Sequence, residues 1–197
     1  MIRADLAAIA DWISPGAKVL DLGCGDGQLL LHLQRAKQVS GYGIEIDPQS
    51  VVASIGNGVN VLQMNLETGL SGFDDHSFDT VILSQTLQAM KHTERILRDM
   101  LRVGREGIVT FPNFGYWKNR LQVLQGRMPK SDAMPYEWFN TPNVHLCTLE
   151  DFEYLCRIIG ARVAERRVIG PQGRSVRFCP NLTGSLAIYR IQQNPTG

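Results

Sequence analysis

The sequence has 197 residues, 44% hydrophobic and 20% charged, which is the balance of an ordinary globular chain with enough length to bury a core unaided. Twenty Lys and Arg against 19 Asp and Glu leave a formal net charge of +1, which argues against a dedicated nucleic-acid binder. Acids at Asp5 and Asp11 break the apolar N-terminal stretch, unlike a secretory leader, and no run of about 18 apolar residues offers a membrane span.

Leu6, Ile9, Ala10 and Ile13 recur at helical spacing and predict a helix over 3–13, stopped by Ser14-Pro15-Gly16. Lys18 to Leu22 reads as a short buried strand, and Gln28 to Lys37 as a helix. Tyr42 to Ile46 is a second strand, after which Asp47-Pro48 marks a helix start. Asn60 to Met64, Phe78 to Leu83 and Gly107 to Phe111 supply strands three to five, with a helix near 92–103 before the fifth. Strands joined by helices predict a mostly parallel sheet covered on both faces. Residues 126–147 hold three prolines and three aromatics without periodicity, the pattern of a long functional loop. Thr148-Leu149-Glu150 opens a capped helix running to Ile159, with Gly160 ending it. Residues 162–169 and 182–191 then read as two strands with no long helix between them, so the sheet should end antiparallel. No linker interrupts this series, and the expectation is one domain over 1–197.

The chemistry concentrates in Val19-Leu20-Asp21-Leu22-Gly23-Cys24-Gly25-Asp26-Gly27. A buried strand delivers an acid, three glycines alternate, and a helix begins. Glycines permit left-handed backbone and close ligand approach, and the helix start offers unpaired N–H groups. A dinucleotide fingerprint, GxGxxG, would need glycine at 28, where the chain has Gln28. Asp21 would repel a pyrophosphate but suits the cationic amino group of a methionine moiety; the competing reading makes it a helix cap. Glu45, 22 residues after Gly23, sits where an acid can accept ribose hydroxyls, whereas Asp47 before Pro48 reads as a cap. Asn65 could meet an adenine edge, with Ile46 or Leu66 on the base face, or could simply serve a turn.

Other polar groups read more blandly. Cys24, Cys147, Cys156 and Cys179 form no CxxC pair, so four free thiols in a cytoplasmic protein and no metal site are expected. His145, among Trp138, Phe139 and Leu146, is the most suggestive histidine. Arg162, Arg166, Arg167, Arg174 and Arg177 form a basic stretch that suits either a solvated sheet edge or a partner surface. No catalytic residue is identifiable.

The segment DLGCGDG, with Glu45 and the FDTVIL strand, resembles the class I S-adenosylmethionine-dependent methyltransferase family over roughly residues 14–125. A narrower resemblance, to the MetW branch of methionine biosynthesis, runs through YGIEID, SFDTVILSQTLQAM, GIVTFPNFGYWKNRLQVLQGRMP and PYEWFNTPNVHLCTLEDFE. It implies a Rossmann-like, seven-stranded α/β sheet with the last strand antiparallel. It also implies S-adenosylmethionine or S-adenosylhomocysteine at Asp21, Gly23, Cys24, Gly25, Gly27, Glu45, Ile46, Asn65 and Leu66, and a homoserine O-acyltransferase as partner. Two departures accompany it. Many members of the fold have Asp where this chain has Asn65, and Ser84-Gln85-Thr86-Leu87 replaces the Asn-Pro-Pro-Tyr motif of amino-methylating enzymes. An accessory or regulatory subunit and an active methyltransferase on a small acceptor are both compatible with these residues.

Overall fold

The computed structural model describes residues 4–194. Helix α1 spans Ala4–Trp12, so the expected start at Arg3 lies outside the described residues. Then follow β1 (Lys18–Leu22), α2 (Gln28–Lys37), β2 (Ser40–Glu45), α3 (Pro48–Gly56), β3 (Val61–Gln63) and β4 (Phe78–Ser84). The second half holds α4 (Thr93–Val103), β5 (Gly104–Pro112), α5 (Trp117–Leu124), α6 (Leu149–Ile158), β6 (Ala161–Ile169), α7 (Pro180–Thr183) and β7 (Leu186–Gln193).

The seven strands form one sheet in the order β3-β2-β1-β4-β5-β7-β6. All neighbours are parallel except around β7, which runs antiparallel to both β5 and β6. The last strand therefore slots between its two predecessors, and the expected mostly parallel sheet with an antiparallel end is what forms.

Alternation along the central strands splits the core in two. Val19, Ile82, Ile108 and Ile188 face a cluster with Ile9 and Trp12 of α1, Ile13 just after it, and Leu30 and Leu33 of α2. Leu20, Val81, Val109 and Tyr189 face the other way, onto Ile96, Leu97 and Met100 of α4 and Phe152 of α6. Burial on both faces explains why β1 and β4 read as nearly continuous apolar runs. Asp21 alternates onto the α1–α2 side of the sheet, at the end of β1.

Local chemistry sets the element ends. Asp47 caps α3 by accepting from the Ser50 N–H at 2.9 Å, and Pro48 stands at its first turn. Thr148 caps α6, but Asp151 rather than Glu150 closes the box by accepting from the Thr148 N–H at 2.9 Å. Strand ends differ from the sequence reading by one to three residues, as at β2, β3 and β5, and two departures are larger. β7 starts at Leu186 instead of 182 because Pro180, at a helix N-terminus, turns 180–183 into α7. Helix α5 falls in a stretch with no element assigned: it buries only Asn119, so its apolar residues do not mark a core face.

Candidate functional site

Strand order reverses between β1 and β4, which is where open α/β sheets bind ligands, beyond the strand carboxyl ends. The glycine loop leaves β1 at this point. The Gly23 and Cys24 N–H groups both donate to the Ile44 carbonyl, at 2.8 and 3.0 Å, bending the chain off the sheet. Gly23, Gly25 and Gly27 are all left-handed, with φ of 73°, 57° and 77°. A Cβ on Gly23 would stand 2.6 Å from Thr86 Oγ1, and one on Gly27 would stand 2.9 Å from Ser54 Oγ. At Gly25 a Cβ would meet nothing within 4 Å. Two of the glycines thus serve packing, and the third borders open space. That space is a cavity of about 180 Å³ bounded by Leu6, Asp21, Gly23, Gly25, Asp26 and Ser84, among others.

Two acids define its electrostatics. Asp21 is only 2% exposed, and its Oδ1 has no hydrogen-bond partner. Burial, reinforced by the nearby Glu45 carboxylate, pushes its pKa up to about 7. Because Asp21 lies within a strand, it caps no helix. Glu45 ties the loop together instead: Oε2 accepts from the Gly25 N–H at 2.9 Å, and Oε1 accepts from the Ile46 and Asp47 N–H groups at 2.7 and 2.9 Å. An ionised carboxylate offers about four lone-pair sites, so these three bonds leave room for another donor. An orphaned buried carboxylate oxygen beside an open glycine fits a ligand carrying an ammonium group.

The remaining expected positions are spread more widely. Cys24 turns its thiol inward, with Sγ 3.9 Å from Ser54 Oγ, and burial raises its pKa to about 12, so it is a packing group. Asn65 follows β3, two residues past the register partner of Glu45. Its Oδ1 accepts from the Glu67 N–H at 2.9 Å, capping a 3-10 turn over Leu66–Thr68, which is the turn role. Leu66 is buried within the α4-side core, whereas Ile46 is 57% exposed. Ile46 is therefore the apolar side chain with a free face. His145 pins its loop: its N–H donates to the Gln88 carbonyl at 3.0 Å, and Nε2 lies 3.3 Å from the Lys91 carbonyl. Arg166 pairs with Glu153 and Arg167 with Asp11, both at 2.7 Å, so part of the basic stretch is spent internally.

The sequence reading noted Ser84-Gln85-Thr86-Leu87 only as a departure from the Asn-Pro-Pro-Tyr motif and gave residues 84–86 no role of their own. Gln85 is left-handed with φ 52°, an uncommon state for a residue with a side chain. Its N–H donates to Thr110 Oγ1 at 3.0 Å, and its Nε2 donates to Asp5 Oδ2 at 2.7 Å. The signal available was only position, immediately after β4 at the reversal of strand order.

Comparison with known proteins supports the fold. The chain is 38% identical over 160 residues to a bifunctional methionine biosynthesis protein MetXA/MetW from Rhodopirellula baltica, a match covering 76% of this chain and 26% of that protein. It thus spans about a quarter of that relative's length. A ubiquinone/menaquinone biosynthesis C-methyltransferase from Bartonella henselae is 23% identical over 185 residues, which are 81% of this chain and 71% of that protein. Among solved structures, an S-adenosylmethionine-dependent methyltransferase from Archaeoglobus fulgidus superposes with a TM-score of 0.74 at 12% identity, covering 97% of this chain and 92% of its own. Another from Thermotoga maritima gives 0.71 at 17%, covering 97% and 88%. These two share the class I methyltransferase fold with this chain. The family described as methionine biosynthesis protein MetW matches residues 3–191. On a match of that extent, the chain belongs to the MetW family of methionine biosynthesis proteins.

Proposed function

We propose that the protein is an S-adenosylmethionine-binding accessory subunit that regulates or supports a homoserine O-acyltransferase in methionine biosynthesis. The observation that carries this reading is the relative in which MetXA and MetW are joined in one chain, since joined units act on a common process. In this reading Asp21 receives the methionine ammonium, Glu45 the ribose hydroxyls, and Gly23, Cys24, Gly25 and Gly27 form the cradle. Ile46 packs on the adenine and Asn65 lies at its edge, while Leu66 supports that wall from the core. S-adenosylhomocysteine shares every group these residues would contact.

The surface supports a protein partner. Trp138 and Phe139 are each 70% exposed and pack edge to face at 5.8 Å, and Leu124 is 84% exposed. Trp117 and Tyr136 are also exposed. Trp and Tyr are enriched at interface centres, so these exposed side chains suit a protein partner. No described helix is long and apolar enough to cross a membrane.

Mixing the purified acyltransferase with this chain should yield a co-eluting complex on size-exclusion chromatography and alter acyl transfer, with S-adenosylmethionine changing the effect. No complex and unchanged acyl transfer, with a methylated small molecule found instead, would favour an independent methyltransferase. Hydrogen exchange should separately show 126–147 gaining protection when the acyltransferase is added. Equal protection with and without it would assign the segment to intramolecular packing.

A further inference from the structure

One end of the sheet is bare of charge. Residues 48–66, which form α3, β3 and the turns beside them, contain no Asp, Glu, Lys, Arg or His. Charged residues make up 20% of the whole chain, so a run of this length without any is rare. The stretch is not hidden in the core. Val52 is 70% exposed, Ile55 61% and Leu62 43%, while within α3 only Ser54 is buried. Edge strands that must stay unpaired are commonly guarded by charge, and β3 has none.

The backbone of this edge matches its own copy. β3 ends the sheet and pairs with β2 alone. The Gly43 N–H donates to the Asn60 carbonyl, and the Met64 N–H to the Glu45 carbonyl. That alternation turns the polar groups of Leu62 toward β2 and those of Val61 and Gln63 outward. Set antiparallel about an axis at Leu62, Val61 of one copy meets Gln63 of the other, and each pair exchanges two N–H···O bonds. Leu62 then meets Leu62 as the closely spaced pair. Helix α3 suits the same axis. It packs on β2 and β3, and Ser54 points inboard, donating to the Gly25 carbonyl at 2.8 Å. Ile55 and Val52 lie about 100° and 160° around the helix from Ser54, so they face away from the cradle. With strands about 4.8 Å apart, a helix over the last two strands would stand roughly 10 Å from its copy, a normal distance for packed helices.

We propose that the β3–α3 edge joins two copies of this chain into a dimer with one continuous sheet. A charge-free face gives an unlike partner no charges to recognise, whereas its outward backbone groups and apolar side chains complement themselves across a two-fold axis. β3 is short, so the strand pair sets the register, and Val52 and Ile55 of the two helices supply most of the apolar contact. The inference does not depend on the acyltransferase: β3 and β5, which precedes the aromatic segment, stand on opposite sides of β1 and β4.

Analytical ultracentrifugation and native mass spectrometry of the full chain test it. At micromolar concentration the wild type should run as a dimer, at twice the 22.0 kDa of one chain. Leu62→Lys places a charge on the exposed axis and should leave a monomer with unchanged melting temperature. Gln63→Pro removes an outward N–H that β2 does not use and should weaken the dimer about tenfold or more. Leu62→Cys reads the register. At the closely spaced position its Cα atoms would stand about 4.5 Å apart, within disulfide reach, so oxidation should link the two chains. Gln63→Cys should link much more slowly, because diagonal neighbours at about 7–8 Å lie at or beyond that reach. The wild type, with its exposed Cys179, sets the background. A monomeric wild type, a dimer unmoved by Leu62→Lys, or faster linkage through Gln63→Cys than through Leu62→Cys would overturn the proposal. So would a chain that pairs through Leu62 only when the acyltransferase is added.

Discussion

Replacing Asp21 by asparagine is expected to stabilise the ligand-free protein at pH 8 and to change it little at pH 4. The carboxyl is buried, and its pKa is raised from 3.8 to about 7. Below pH 4 both folded and unfolded chains hold the proton. As pH rises, the unfolded chain releases it first, so stability falls until the folded pKa is passed and is level above it. A shift of this size corresponds to roughly 4 kcal/mol over the full window, of which about 2–3 kcal/mol lies between pH 5 and 8. The measurement is the difference between wild type and Asp21→Asn in denaturant unfolding at those two pH values, where contributions of other groups cancel. A difference independent of pH would mean that Asp21 ionises normally. A binding consequence follows if the cradle takes an ammonium. S-adenosylmethionine affinity should then rise about tenfold per pH unit below 7 and level off above it, because binding requires the ionised carboxylate. The asparagine variant should bind weakly at every pH, without that slope.

Glu45→Ala should reduce S-adenosylmethionine affinity about 30-fold to 100-fold. The carboxylate accepts three backbone N–H bonds and in the proposed site would also take the ribose hydroxyls, and hydrogen bonds to a charged group are worth roughly 1.5–3 kcal/mol each. Glu45→Gln separates the two roles. Its amide retains one acceptor oxygen but has no charge, so it should recover part of the loop order and little of the affinity. Calorimetry with S-adenosylmethionine reads the affinity, and amide exchange at Gly25 reads the loop. Unchanged affinity in the alanine variant would remove Glu45 from the cofactor site.

The cradle was legible in the sequence because its parts are local. Strand, acid, alternating glycines and helix occupy one run of residues, and Glu45 ends the very next strand. The mostly parallel sheet with an antiparallel end was legible through the short crossovers, though the strand order was not. Asn65 was undecided because capping and base contact ask for the same side-chain oxygen; here that oxygen accepts from the Glu67 N–H, and its second lone pair can still accept from an adenine amino group. Helix α5 was missed although Trp117, Leu121 and Leu124 keep helical spacing, because that stripe faces outward. The contact of Gln85 with α1 was not readable at all. Asp5 and Gln85 stand 80 residues apart, and only the docking of α1 beside the end of β4 brings their side chains to 2.7 Å.

The three bonds that Glu45 receives also bear on the entropy of binding. A loop with glycine at every second position would normally lose about 1–2 kcal/mol of conformational freedom per residue on being fixed. Here the Gly25, Ile46 and Asp47 N–H groups are already anchored to one carboxylate. Much of that disorder is removed when the chain folds, before any ligand arrives. A nucleoside bound in the cradle, as proposed, would therefore meet a preformed wall, and its binding free energy would go into recognition rather than into ordering the loop.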